Sequence, residues 1–142
     1  MRILTVCLGN ICRSPYAAAV LTHHGGGAAE VRSAGLSGKW IGQGGHPDMV
    51  KTAAMRGFDL SGHHAVQVTD ELLEWAHVIL AMDRSVEAQL HGRTAGFTAR
   101  KIHLYLEEGD VPDPYGQDAA AFTACAEAIE AGAARHLPPK GE

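Results

Sequence analysis

The chain has 142 residues, 46% hydrophobic and 20% charged, with a formal net charge of −4. That is the size of a single domain, here taken over residues 1–142, and with its lysines and arginines scattered it offers no basic field for nucleic acid. No apolar run approaches the roughly 20 residues that span a bilayer, and the start MRILTVCLGNICR lacks the apolar stretch and cleavage site of a signal peptide, so a cytoplasmic protein with no membrane partner is expected.

In chain order, strand-like runs at 2–7 (RILTVC), 29–34 (AEVRSA), 77–82 (HVILAM) and 101–106 (KIHLYL) alternate with helical segments. The alternation predicts an α/β fold, a single-domain three-layer sandwich with a four-stranded parallel sheet and helices on both faces. Helices are expected at 14–24, ended by Gly25-Gly26-Gly27, at 47–56, ended by Gly57, and at 70–75, 83–91 and 118–136. Thr69, Asp83 and Asp118 are the expected N-caps. Residues 35–47, GLSGKWIGQGGHP, read as a Gly-rich loop, and the final LPPKGE reads as a frayed tail. Ligands of open α/β sheets bind outside the carboxyl ends of the strands, where Cys7, Ser33 and Asp83 fall.

The chemistry is concentrated in residues 6–15, VCLGNICRSP. Leu8, Gly9, Asn10, Ile11 and Cys12 separate Cys7 from Arg13 and lead from a strand into a helix. A loop of that length curls so that its backbone N–H groups, from Leu8 through Ser14, converge where the helix dipole adds partial positive charge. A tetrahedral oxyanion such as phosphate fits there. Gly9 permits close backbone approach, and Asn10 tolerates a left-handed backbone while its side chain ties the loop to its neighbours. Ser14-Pro15 reads as an N-cap followed by the first helical position, and the Ser14 hydroxyl also has a proton to donate to the Cys7 sulfur.

An ordinary cysteine, with a pKa of about 8.5, is mostly thiol at neutral pH, whereas the helix N-terminus, Arg13 and the loop amides favour the nucleophilic thiolate. The Arg13 fork suits two oxygens of a phosphoryl group. Attack by Cys7 on phosphorus then gives a phosphocysteine. Such a reaction needs a proton for its leaving group, and VPDPYGQD at 111–118 supplies Asp113 from a proline-fixed loop, with Tyr115 beside it. Three cysteines, with Cys7 and Cys12 five apart, form no disulfide framework and suit a reducing compartment. A loop curled around phosphate brings Cys12 near Cys7, so a reversible Cys7–Cys12 bridge is expected as a redox brake, while Cys125 reads as core.

Together with DPYG, SAG at 33–35 and MDRS at 82–85, the VCLGNICRSP stretch resembles the low-molecular-weight protein tyrosine phosphatase family over nearly the whole chain. The resemblance implies hydrolysis of phosphotyrosine without cofactor or metal. It makes Cys7 the nucleophile, Arg13 the phosphate-binding arginine, Asp113 the general acid that later activates water, and Ser14 the thiolate-stabilising serine. Asn10, Ser33 and His63 become polar braces behind the loop, and Trp40 and Tyr115 the aromatic walls of the substrate slot. It also implies tyrosine-phosphorylated proteins as partners, a bacterial tyrosine kinase among them, and a monomer or weak dimer.

This chain departs from the family pattern in three places. Trp40 stands one residue further from Ser33 than usual, Ala18 replaces a common glutamate, and Val66 replaces a common arginine. Arsenate reductases share the Cys-loop-Arg start but use a further cysteine pair near mid-chain, and no cysteine stands between Cys12 and Cys125. Protein-arginine phosphatases carry a small threonine where this chain has the bulkier Ile11. A non-catalytic phosphopeptide-binding module would need neither Cys7 nor Asp113. The nine histidines show no metal-ligand spacing, with His23-His24 and His63-His64 adjacent, and GKWIGQGG lacks the strand and helix that a dinucleotide site requires.

Overall fold

A computed structural model describes residues 1–139. Four strands, β1 (Arg2–Cys7), β2 (Glu30–Gly35), β3 (Val78–Ala81) and β4 (Ile102–Leu104), form one all-parallel sheet in the order β2-β1-β3-β4. Six helices connect or follow them: α1 (Arg13–Gly25), α2 (Pro47–Met55), α3 (Asp70–Trp75), α4 (Arg84–Gly92), α5 (Gly96–Arg100) and α6 (Ala119–Gly132). The fold class expected from the alternation is therefore observed, with β1 at its expected bounds and the ends of the other strands shifted by one or two residues.

The two central strands, β1 and β3, are buried on both faces because they are apolar at nearly every position, whereas the edge strand β2 is partly exposed. Ile3 and Cys7 of β1, with Leu80 and Met82, face α1, α2 and α6, whereas Leu4, Val6, Ile79 and Ala81 face α3 and α4. Cys125 sits fully buried on α6, as core. Thr69, Asp83 and Asp118 each accept the backbone N–H of the third residue of the next helix and so act as N-caps.

Four differences from the sequence reading have physical causes. Helix α1 begins at Arg13, with Cys12 at the N-cap and no side-chain cap. Ser14 is thus the second helical residue and not the cap, because its hydroxyl is engaged with Cys7 and Asn10. Pro15 falls at the third helical position, still within the first turn, where a missing N–H leaves no intrahelical bond unmade. The five-residue α5 has an alanine at its N-cap and no side-chain cap, so it leaves little sequence signal. The segment expected as one helix over 118–136 ends at Gly132, where a Cβ would lie 2.9 Å from the Tyr105 ring, and resumes as a 3₁₀ turn, Ala134–His136. Finally, Leu137 packs on the core beside Gly25, so the expected tail is anchored at its start; its last residues, 140–142, lie outside the described residues.

One ion cluster ties the helices of the first layer together. Glu130 of α6 accepts from the Tyr16 hydroxyl of α1 at 2.6 Å and from Arg56, the C-cap of α2, at 2.9 Å. The hydrogen bond from Arg56, more than that from Tyr16, holds the Glu130 carboxyl below its ordinary value of 4.5, against the opposing effect of burial. A lowered carboxylate stabilises the fold above the unfolded value and ceases to do so as pH falls through the folded one. Glu130→Gln is therefore expected to cost about 1–3 kcal/mol at pH 7. In urea titrations followed by circular dichroism, the difference from the unchanged protein should shrink as the pH is taken below 4.5.

Candidate active site

Sheets of this strand order place a ligand crevice where the order reverses, outside the carboxyl ends of the two central strands. Cys7 closes β1 there, and Asp83 directly follows the β3 edge of the same crevice. Between them a cleft of about 350 Å³, open solvent included, is lined by Cys7, Leu8, Gly9, Ile11, Cys12, Arg13, Trp40, Asp113 and Tyr115.

The loop from Cys7 to Arg13 is bent around Asn10, which has φ 58°, the one left-handed non-glycine residue among those described. Such a backbone costs energy for most side chains, and Asn is among the few that tolerate it. Asn10 is fully buried and each of its polar atoms is engaged. Its N–H donates to Cys7 Sγ at 3.2 Å, and its Nδ2 donates to Ser14 Oγ at 2.8 Å and Ser33 Oγ at 2.9 Å. Its Oδ1 accepts from the Val66 N–H at 2.9 Å, and its carbonyl lies 2.6 Å from His63 Nε2. Burial lowers the His63 pKa and so favours the neutral ring, whose Nε2–H donates to that carbonyl. Val66 serves through its backbone, which leaves its side chain free to differ from the family's arginine.

Ser14 Oγ lies 3.0 Å from Cys7 Sγ. That hydroxyl already accepts from Asn10, so its own proton is available, with the sulfur nearer than the alternative acceptor, the Ala34 carbonyl at 3.4 Å. The uncapped N-terminus of α1 opens on the same cleft. Cys12 is also buried, and burial first, then the neighbouring Cys7, pushes its thiol far above the ordinary value. Cys12 is therefore held as a neutral thiol beside the cleft.

Arg13 is buried at 3% exposure, which by itself opposes its charge. Its hydrogen bond to Asp83, at 2.7 Å, and the negative field of Cys7 and Asp113 outweigh burial and raise its pKa. The same Nη1 also donates to the Val111 carbonyl at 3.1 Å, and Nη2 stands 3.7 Å from Asp113 Oδ2. Asp83 thus holds Arg13 with one oxygen while the other caps α4 by accepting from Val86 N–H at 2.7 Å. The sequence places Asp83 at a strand end beside the crevice and at a helix cap; its partnership with Arg13 is what the structure adds.

Asp113 is half-exposed at the cleft mouth, and its carboxylate accepts from the Tyr115 N–H at 3.1 Å. Trp40 is half-buried and packs on the loop. A Cβ added at Gly9 would lie 2.7 Å from Trp40 Cε3, so the close approach at Gly9 is that of the indole ring. Trp40 and Tyr115 meet edge to face, with centroids 5.9 Å apart. Every residue proposed from sequence thus gathers at one cleft or directly behind its loop.

Comparison with known proteins agrees with this geometry. A family model described as low molecular weight phosphotyrosine protein phosphatase matches residues 2–138. The chain belongs to this family. Its likeness to the probable low molecular weight protein-tyrosine-phosphatase EpsP of Ralstonia nicotianae is 36% identity, covering 96% of this chain and 93% of the relative. A protein-arginine-phosphatase of Geobacillus stearothermophilus is 33% identical, covering 91% and 88%. Among solved structures, Vibrio vulnificus Wzb in complex with benzylphosphonate superposes with a TM-score of 0.88 at 30% identity, covering 95% of each chain. As a low molecular weight phosphotyrosine protein phosphatase, this protein is a cysteine-dependent hydrolase.

Gly35, the neighbour of Cys7 in the sheet register, shows how tightly the loop is held. A Cβ there would lie 2.9 Å from both Asn10 N and Gly9 C, backbone atoms with no freedom to yield. Displacing catalytic groups by about 1 Å costs on the order of 100-fold in rate, so Gly35→Ala is expected to lose roughly that much kcat/KM. Gly9→Ala should lose less, since the Trp40 ring it meets is able to tilt; steady-state assays on an aryl phosphate compare the two.

Proposed function

We propose that the protein hydrolyses phosphotyrosine in proteins by covalent catalysis on Cys7. The observation that carries this reading is the sulfur's setting: hydrogen-bonded by the Ser14 hydroxyl and the Asn10 amide at the mouth of an uncapped helix, with Arg13 and Asp113 in the same cleft. Donors aimed at a sulfur favour its anion, and the same helix end attracts a phosphoryl dianion.

In this reading the Cys7 thiolate attacks phosphorus while the bond from phosphorus to the phenolic oxygen breaks. Arg13 grips two of the equatorial oxygens, and the loop amides between Leu8 and Ser14, save that of Asn10, which is given to the sulfur, hold the charge that gathers on them. Asp113, as the acid, gives its proton to the departing oxygen. Water then attacks the phosphocysteine, Asp113 takes its proton, and inorganic phosphate leaves with the thiolate restored. Asn10, Ser33 and His63 brace the loop from behind. The aromatic slot of Trp40 and Tyr115 prefers a planar ester, and a phenol leaves more readily than an alcohol.

The partners proposed are tyrosine-phosphorylated proteins, a bacterial tyrosine kinase being one such class. Arginine phosphate is disfavoured by Ile11, whose branched side chain lines the cleft where a guanidinium phosphate would need room.

Cys7→Ser is expected to abolish hydrolysis of 4-nitrophenyl phosphate, and Asp113→Ala to slow it by about 10²–10⁴-fold. Retained activity in Cys7→Ser would remove the covalent mechanism. The Cys12 thiol supports a second expectation. Peroxide converts the Cys7 thiolate to a sulfenic acid, and the Cys12 sulfur then displaces its oxygen as water, forming one S–S bond. Peptide mass spectrometry after mild peroxide should find a Cys7–Cys12 linkage that thiols reverse; only sulfinic or sulfonic acid at Cys7 would refute it.

A further inference from the structure

We infer that His46 is a positioning residue that sets the cleft's preference for aromatic phosphate esters by bracing Tyr115 from behind. His46 is the N-cap of α2, where its Nδ1 accepts the Asp48 N–H at 3.1 Å. Histidine is an unusual residue for that task, which Ser, Thr, Asp or Asn performs better. Its ring explains the choice. The imidazole meets Tyr115 edge to face at 5.7 Å and lies over Phe122 at 5.0 Å with a tilt of 36°. Phe122 is buried and fixed on α6, whereas Tyr115 is half-exposed on the acid loop. The ring is therefore a wedge between an immobile core residue and one wall of the substrate slot.

The backbone adds a second tie. His46 N–H donates to the Ile11 carbonyl at 2.8 Å, so the wedge is registered to the phosphate-binding loop itself. His46 is not among the residues lining the cleft, and it acts only through Tyr115. Tyr115 in turn donates its N–H to Asp113. Its place thus governs both the width of the slot and the seat of the acid. Without the wedge, the Tyr115 ring keeps, of its two aromatic contacts among the described residues, the edge contact with Trp40, and an aryl group loses a wall that inorganic phosphate never touches.

The inference rests on the proposed aryl-phosphate reading, and binding measurements separate the two. His46→Asn keeps an acceptor for the Asp48 N–H and so preserves the cap while removing the ring. By titration calorimetry on the full chain, its affinity for benzylphosphonate relative to inorganic phosphate is expected to fall about 3- to 10-fold. His46→Phe keeps a ring but forfeits the cap, so it should restore the ratio while lowering Tm. An unchanged ratio in His46→Asn, or a ratio as poor in His46→Phe as in His46→Asn, would overturn the inference. Failure of the unchanged protein to turn over aryl phosphates would instead overturn the phosphatase reading, with the binding ratio still deciding the role of His46.

Discussion

The site depends on a left-handed bend at one buried asparagine. Asn10 bears an unfavourable backbone angle, yet satisfies every polar atom it has with the thiol, the serine that serves it, the second strand, and the segment around His63 and Val66. Strain of this kind persists only where the surroundings over-determine it. The loop is consequently a cup whose shape is set from outside, by groups that need never touch a substrate. Preorganised donors of that sort lower a barrier because nothing has to reorient when charge develops.

Arg13 follows the same logic on the other side of the cleft. A guanidinium so deeply buried requires fixed negative partners, and Asp83 supplies one without reaching into the cleft. Because the other oxygen of Asp83 caps α4, the arginine is aligned by the β3–α4 junction rather than by its own flexible stem. The nucleophile's loop is thereby referenced to both central strands, and the crevice between them becomes rigid on each wall.

Much of this was legible in the sequence for local reasons. Strand, loop, arginine and helix follow one another within residues 2–25, so their order sufficed to place Cys7 and Arg13. Thr69, Asp83 and Asp118 announce their helices through short-range capping. What remained hidden was tertiary. The Ser14–Cys7 contact is legible, but Ser14 also reads as the cap of α1 until Asn10 engages the same hydroxyl, and Asp83 shows its strand end and its cap but not Arg13, which arrives from 70 residues away. His46 sits in a Gly-rich stretch with no local period, and only packing against Tyr115 and Phe122 reveals what its ring does.

The bond between Arg13 and the Val111 carbonyl spans 98 residues of chain. Contacts of such range form late, after the intervening strands have paired. During synthesis, then, the N-terminal third emerges with Cys7, Arg13 and Trp40 but without the Val111 carbonyl, Asp113 or Tyr115 that complete the cleft. The cleft closes only when residues 111–115 pack against a loop laid down at the other end of the chain.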